Sequence, residues 1–267
     1  RSEPVLSKLA MITKETATQI KRRLLLDCRV SGTNSVTVQW ERVLLPLLTD
    51  VVGDALRLLR GRSSTKFPVS WSVLDFADAF YNIPLRPDER RYFCAHLRGS
   101  FFLWKRVAQG SRNGPFGRCS ALAARLVQAL FEADELALQV YTDDPIATTC
   151  ADADSTLAYH CILILVWRAL GFKLAFHKAQ RGHAVAWIGH DLKFDNDVVF
   201  ATIAADFMAK LRETTATLSS SNVISLDDLR SYAGCCNHVS RLLWTWRPFL
   251  DELWGAIYST GASNAPP

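Results

Sequence analysis

The tetrad Tyr141-Thr142-Asp143-Asp144 lies where two short apolar runs, residues 136–141 and 146–149, meet. Both runs have strand length and composition, and an Asp-rich break between them is turn chemistry, so the pattern predicts a hairpin carrying two carboxylates at its tip. Adjacent carboxylates repel one another unless a cation neutralises them. Taken alone the tetrad also suits an ordinary turn, because Asp is a common turn residue. A second source of carboxylate decides between these readings. Leu74-Asp75-Phe76-Ala77-Asp78-Ala79-Phe80 closes a β-rich run at residues 70–76. A strand running beside the hairpin would bring Asp75 next to Asp143. Three carboxylates from two strand ends make a hard-oxygen site suited to Mg²⁺.

Outward from this pair of segments, the chain reads as an α/β body followed by helices. The 267 residues, 49% hydrophobic, bury a real core and suit one large domain or two to three subdomains. No apolar run approaches the roughly 18 residues of a membrane span, and no signal peptide opens the chain. Seven cysteines without a CxxC pair point to a reducing, intracellular setting. His177, His183 and His190 lack a second ligand pair at zinc spacing. Residues 1–70 hold 12 Lys and Arg against 6 Asp and Glu, whereas the remaining 197 hold 19 against 20. A basic front on a near-neutral body suits contact with a polyanion as well as a solvated charged face.

Local signals place the elements. Lys21-Arg22-Arg23 flanks a Leu24-Leu25-Leu26 strand, and residues 31–34 are turn chemistry. Leu44, Leu47, Leu48, Val51, Ala55 and Leu59 recur at helical spacing up to Gly61. Residues 92–97 and 101–107 form a hairpin around Arg98-Gly99-Ser100. Pro115 opens a helix lined by Leu122, Leu126 and Leu130. Asp154 or Ser155 caps a helix that ends at Gly171, and residues 185–192 read as one strand. From about residue 195 the character is helical, with a capping box at Ser225-Leu226-Asp227-Asp228. The last residues, 262–267, read as a frayed tail.

Five segments together resemble the motifs of retroelement reverse transcriptases. Residues 74–85 (LDFADAFYNIPL) resemble motif A, and Ala108-Gln109-Gly110-Ser111-Arg112-Asn113-Gly114-Pro115 resembles motif B. Tyr141-Thr142-Asp143-Asp144 resembles motif C. Leu170-Gly171-Phe172-Lys173-Leu174 with Lys178 resembles motif D, and Trp187-Ile188-Gly189 the aromatic-x-Gly of motif E. Each is weak alone, but five in family order are specific. The resemblance covers about residues 5–255 and is closest to LTR (gypsy-like) and tyrosine-recombinase-type retrotransposons. Two departures stand out: Pro145 follows the carboxylate pair and removes one ladder bond, and Gly114 replaces a small polar residue before Pro115.

The resemblance implies an α+β right-hand polymerase fold. Fingers would come from residues 1–70 and 82–114, the palm from 71–81 and 115–195 as an antiparallel sheet backed by helices, the thumb from 196–260, and a disordered tail from 261–267. It implies an RNA-directed DNA polymerase that adds dNTPs to a primer 3′ end on an RNA or DNA template. Asp75, Asp143 and Asp144 would hold two Mg²⁺ ions, with Mn²⁺ as a substitute. Such ions activate the 3′-hydroxyl and stabilise departing pyrophosphate. Lys178 would be the catalytic proton donor, or else a solvated surface lysine. The nucleotide would meet Arg23, Asp78, Phe80, Gln109, Gly110 and Tyr141. Phe80 would be the steric gate under the sugar, or else a core aromatic. Asp78 would sit beside the triphosphate, or else cap a turn. Arg23 suits phosphate by its fork geometry, and Lys21 or Arg22 would serve instead. Partners would be a primer–template and dNTPs, no membrane, and RNase H, integrase or recombinase elsewhere in a polyprotein. The competing readings are a catalytically silent retroelement fragment that only binds nucleic acid, and an RNA-dependent RNA polymerase, against which Phe80 argues.

Overall fold

The computed structural model describes residues 3–15, 20–38, 44–61, 67–112, 124–127 and 129–259. The side chain of Lys21, the segment Asn113-Gly114-Pro115, Leu122 and the tail at 262–267 lie outside the described residues. In chain order the elements begin with β1 (Lys8–Glu15), β2 (Ile20–Asp27), a single helical turn α1 (Thr33–Val36), α2 (Leu48–Gly61) and β3 (Val69–Val73). There follow β4 (Cys94–Leu97), β5 (Ser100–Leu103), β6 (Leu136–Tyr141), β7 (Asp144–Cys150), α3 (Ala153–Ala169) and β8 (Gln180–Gly182). The chain continues through β9 (Ala184–Trp187), β10 (His190–Asp195), β11 (Val198–Ile203), α4 (Ala205–Ser219), α5 (Leu226–Ser240) and α6 (Arg247–Ser259). The class is α+β, with antiparallel strand pairing in every named sheet.

The central sheet has the order β6-β7-β3-β8, and strand alternation separates two cores on its faces. Val69, Trp71 and Val73 of β3 join Ile146 of β7 under Leu48, Val51 and Ala55 of α2 and under Val185, Trp187 and Leu192 of β9 and β10. Leu136, Leu138, Val140 and Ala147 point the other way and pack with Leu163 and Trp167 of α3. A smaller core gathers Leu26, Cys28, Leu85, Phe93, Val107 and Ala108 between the β1–β2 and β4–β5 hairpins.

The tertiary structure revises several local expectations. The buried face of α3 is Thr156, His160, Leu163 and Trp167, and its cap is Asp152 rather than Asp154 or Ser155. The extended Asp152 accepts the Ser155 N–H at 2.9 Å, as an N-cap carboxylate should. At the other end Gly171 (φ 85°) closes a Schellman motif: Phe172 N–H reaches Trp167 O, and Gly171 N–H reaches Arg168 O. Residues 185–192 are not one strand. Ile188 and Gly189, both at positive φ, turn β9 into β10, the backbone twist that suits a two-residue hairpin. The helical character begins at Ala205 rather than near 195, because Asn196 and Asp197, also at positive φ, reverse the chain into β11. Residues 124–127 are helical, and the buried positions here are Val127 and Phe131, while Leu130 is exposed. The proposed Leu126/Leu130 stripe therefore does not face the core there. Ser225 caps α5 as expected, its Oγ accepting Asp228 N–H at 3.1 Å, but Asp228 Oδ2 accepts the Ser225 hydroxyl at 2.6 Å, so the reciprocal half of the capping box is not made.

Candidate active site

Strand alternation carries the carboxylates to one place. Asp75 continues the face of Val69, Trp71 and Val73 just past the end of β3, and Asp144 lies two residues before Ile146 on the same face of β7. Because β3 and β7 are antiparallel, these two positions are at the same end of the sheet. Pairing continues beyond β3: Leu74 N–H donates to Pro145 O (3.0 Å) and Phe76 N–H to Asp143 O (2.9 Å). Pro145 has no N–H to return, which is the ladder bond its presence removes. On the other side, Ala77 N–H donates to Lys173 O (2.8 Å) and Ala175 N–H to Asp75 O (2.9 Å). Phe76 turns inward, stacked on Phe172 at 4.8 Å and edge-on to Trp167 at 5.1 Å. The segment carrying Asp75 is thus held from both sides, by Leu74 and Phe76 toward β7 and by Asp75 O and Ala77 toward residues 173–175.

The hairpin tip is equally constrained. Tyr141 pairs with Asp144, leaving Thr142 and Asp143 as a two-residue loop. Thr142 has φ 56°, an unusual value for a β-branched residue. Its hydroxyl donates to Asp143 Oδ1 at 2.7 Å, and the buried Trp187 indole N–H donates to Asp144 O at 3.0 Å. The 3₁₀ turn Phe176–Lys178 follows the segment paired with Asp75 and delivers Lys178, whose ammonium contacts the Asp75 carboxylate. Burial, then the charges of Asp143 and Asp75, push the Asp144 carboxyl up to about 6, with Lys178 opposing.

The structure therefore brings Asp75, Asp143, Asp144 and Lys178 together. Among the described residues no three His, Cys, Asp or Glu side chains converge as a ready cage for an ion, and Asp75 faces Lys178 instead. The donor set is nevertheless all hard oxygen, and burial, together with the charges of Asp143 and Asp75, holds the Asp144 carboxyl raised, a penalty on its ionised form that a divalent cation would offset. The residues fit such an ion. His183 and His190 bond to the carbonyls of Val69 and Ile188 and join no metal-holding group among the described residues.

The remaining site candidates lie around this centre. Asp78 is exposed, at φ 53°, heading the 3₁₀ turn Ala79–Asn82, and Asn82 Nδ2 braces Ala77 O at 3.3 Å. Phe80 is half-buried against the smaller core. Gln109 O accepts Leu26 N–H at 2.9 Å. At Gly110 (φ 107°) an added Cβ would stand 2.1 Å from Leu26 O, so the close backbone approach glycine permits here is to β2. Asn34, which sequence reasoning passed over as a turn residue, clamps this segment by donating to Gly110 O (2.9 Å) and accepting Arg112 N–H (2.8 Å). Arg23 is exposed on β2, opposite Ile12 of β1.

A reverse transcriptase (RNA-dependent DNA polymerase) family profile matches residues 7–192, more than half of the chain. The chain belongs to the reverse transcriptase family. A Gag-Pro-Pol polyprotein of squirrel monkey retrovirus is 28% identical over 127 residues, 45% of this chain and 7% of that protein. The fold is similar to that of a foamy viral protease-reverse transcriptase in complex with double-stranded DNA (TM-score 0.60, 16% identity, 96% of this chain and 44% of that one). It is also similar to the foamy viral enzyme in complex with an RNA/DNA hybrid (TM-score 0.57, 15% identity, 96% and 34%). The right-hand polymerase fold expected from the motifs is thereby established, and the chain spans only part of each of these relatives. No helix among the described residues is long and apolar enough to cross a membrane.

Proposed function

We propose that this chain adds dNTPs to the 3′ end of a primer on an RNA or DNA template. The observation that carries the reading is the placement of Asp75 and Asp144 on one face and at one end of the central sheet, with Asp143 at the adjoining tip. Asp75, Asp143 and Asp144 would hold two Mg²⁺ or Mn²⁺ ions, whose chemistry is to activate the primer hydroxyl and stabilise the leaving pyrophosphate. The chain's own residues orient the reactants. The segment around Asp75, bonded to strands on both sides, and the Thr142 turn keep the carboxylates in place, and Lys178 presents a proton donor beside them. Phe80 limits the space under the sugar. Asp78, Gln109, Gly110 and Tyr141 border the nucleotide, and Arg23 of the basic β2 strand meets its phosphates.

In this reading residues 1–70 and 82–114 are fingers, 71–81 and 115–195 palm, and 196–260 thumb. The helices assigned to the thumb would begin at Ala205, because β11 pairs with β10 in a three-stranded sheet of order β11-β10-β9. Primer extension on poly(rA)/oligo(dT) with Mg²⁺ or Mn²⁺ tests the proposal. Wild type should extend, and Asp75→Asn or Asp143→Asn should abolish extension while leaving primer–template affinity, which phosphate contacts dominate, nearly intact. Retained binding without wild-type extension would assign the chain to the silent, nucleic-acid-binding class. Extension by either variant within tenfold of wild type would overturn the carboxylate assignment.

A further inference from the structure

The C-terminal end of α5 reaches the carboxylate hairpin. Leu242 packs into the core containing Trp187, Ile146 and Val185, which seats the neighbouring Arg241. Its Nη1 donates to the Tyr141 hydroxyl at 3.0 Å, with the guanidinium carbon 5.9 Å from the Tyr141 ring centroid. The Tyr141 ring stands edge-on to the Trp187 ring at 6.3 Å and 86°. The Trp187 indole N–H then holds Asp144 O at 3.0 Å. These three side chains come from a helix terminus, the last residue of β6 and the last residue of β9. They form a continuous path from the helical C-terminal region to the backbone of a carboxylate.

We propose that Arg241 is a positioning residue for the Asp143–Asp144 turn, acting through Tyr141 and Trp187 and coupling the seating of α5 to the geometry of the carboxylates. The inference rests on the metal-site part of the proposed function for its calorimetric arm and on primer extension for its kinetic arm. A guanidinium suits the role because its planar fork donates along fixed directions and also lies against an aromatic ring, whereas a lysine ammonium does neither as well. The Tyr141–Asp144 pair closes the two-residue loop. Displacement of the Tyr141 ring or loss of the Trp187 bond therefore moves both carboxylates, and small misplacements at a reacting centre have large kinetic effects.

The test compares Arg241→Ala, Arg241→Lys, Tyr141→Phe and the Arg241→Ala/Tyr141→Phe double variant with wild type. Two readouts are used: Mn²⁺ affinity by calorimetry on the folded fraction, and primer extension. Arg241→Ala and Tyr141→Phe should each weaken Mn²⁺ binding several-fold and lower kcat by roughly tenfold with the dNTP KM within about twofold. The double variant should be no worse than the worse single variant, because both break one path. Added guanidinium ion should partly restore Arg241→Ala, and Arg241→Lys should fall between Arg241→Ala and wild type. A merely structural role would lower the melting temperature while leaving Mn²⁺ affinity and kcat per folded molecule unchanged, and that result overturns the proposal. So would additive losses in the double variant, or a wild type that binds no Mn²⁺. If wild type binds Mn²⁺ but does not extend primers, the polymerase reading fails while the calorimetric arm still decides the role of Arg241.

Discussion

Lys178 places its ammonium against the Asp75 carboxylate although the two are 103 residues apart. The contact is made because residues 173–175 pair with the segment just after β3 and the following 3₁₀ turn swings Lys178 back over it. An ammonium and a divalent cation are rivals for one carboxylate. Lys178→Gln should therefore tighten Mn²⁺ binding, by about threefold or more in calorimetry, while kcat falls by roughly tenfold to a hundredfold if Lys178 is the proton donor proposed above. Unaltered Mn²⁺ affinity would show that the ion pair does not compete with metal.

Asp144 offers a stability measurement of the opposite kind. Its folded carboxyl titrates at about 6 against an ordinary 3.8, so the folded state binds the proton more tightly. The resulting stability is present at low pH and lost as pH rises from about 4 to 6. At pH 7–8 the ionised group is a burden on the metal-free protein. Asp144→Asn should raise the metal-free stability by about 1–2 kcal/mol, a value discounted for partial exposure. Adding Mn²⁺ should raise the melting temperature of wild type and not of the variant. A variant less stable than wild type in EDTA at pH 8 would contradict this.

Phe80 tests sugar selection. Its ring is half-buried against Leu26, Leu85, Phe93 and Val107, a packed surface that resists movement to admit an extra hydroxyl. Phe80→Val should gain rNTP incorporation relative to dNTP by about thirtyfold to a hundredfold, or roughly 2–3 kcal/mol, measured by competition on one primer–template. Some loss of stability will accompany it from the truncated core contact. An active variant with an unchanged ratio would leave Phe80 as packing alone.

Gly110 is where the segment resembling motif B locks to β2. A Cβ would meet Leu26 O at 2.1 Å, at a backbone φ of 107° that L side chains rarely adopt. Gly110→Ala should be destabilised by more than about 2 kcal/mol in urea unfolding, with the Gln109–Leu26 and Asn34–Gly110 bonds displaced. Wild-type stability in this variant would mean the two segments part easily.

His160 predicts acid sensitivity. It is buried on α3, and desolvation first, then the Arg181 charge, lower it to about 4 from 6.5. The unfolded chain then takes up the proton first, so stability falls as pH drops from about 6.5 toward 4. Between pH 7 and pH 5 the residue should cost about 2 kcal/mol, and His160→Leu should show a correspondingly smaller loss over the same interval. Parallel pH profiles for the two proteins would remove this account.

Sequence alone determined what is local. The Tyr141-Thr142-Asp143-Asp144 hairpin, the Leu48, Val51 and Ala55 stripe of α2, the Gly171 stop and the Ser225 cap each depend on spacing or on the conformational preference of one residue, whereas Leu44 and Leu47, expected on the same stripe, lie before the helix and Leu44 is exposed. Five motifs in family order were enough to set the right-hand fold. The tertiary structure decided the rest. The break at Ile188–Gly189 and the third strand β11 were hidden because a short apolar run looks alike whether it is one strand or a hairpin, until its partners are known. That Asp75 meets Lys178, that Gly110 gives way to the carbonyl of Leu26, and that Arg241 holds the hydroxyl of Tyr141 are all contacts between distant segments. No periodicity encodes such contacts, because they follow from which buried faces pack together, and packing is settled by the whole chain at once.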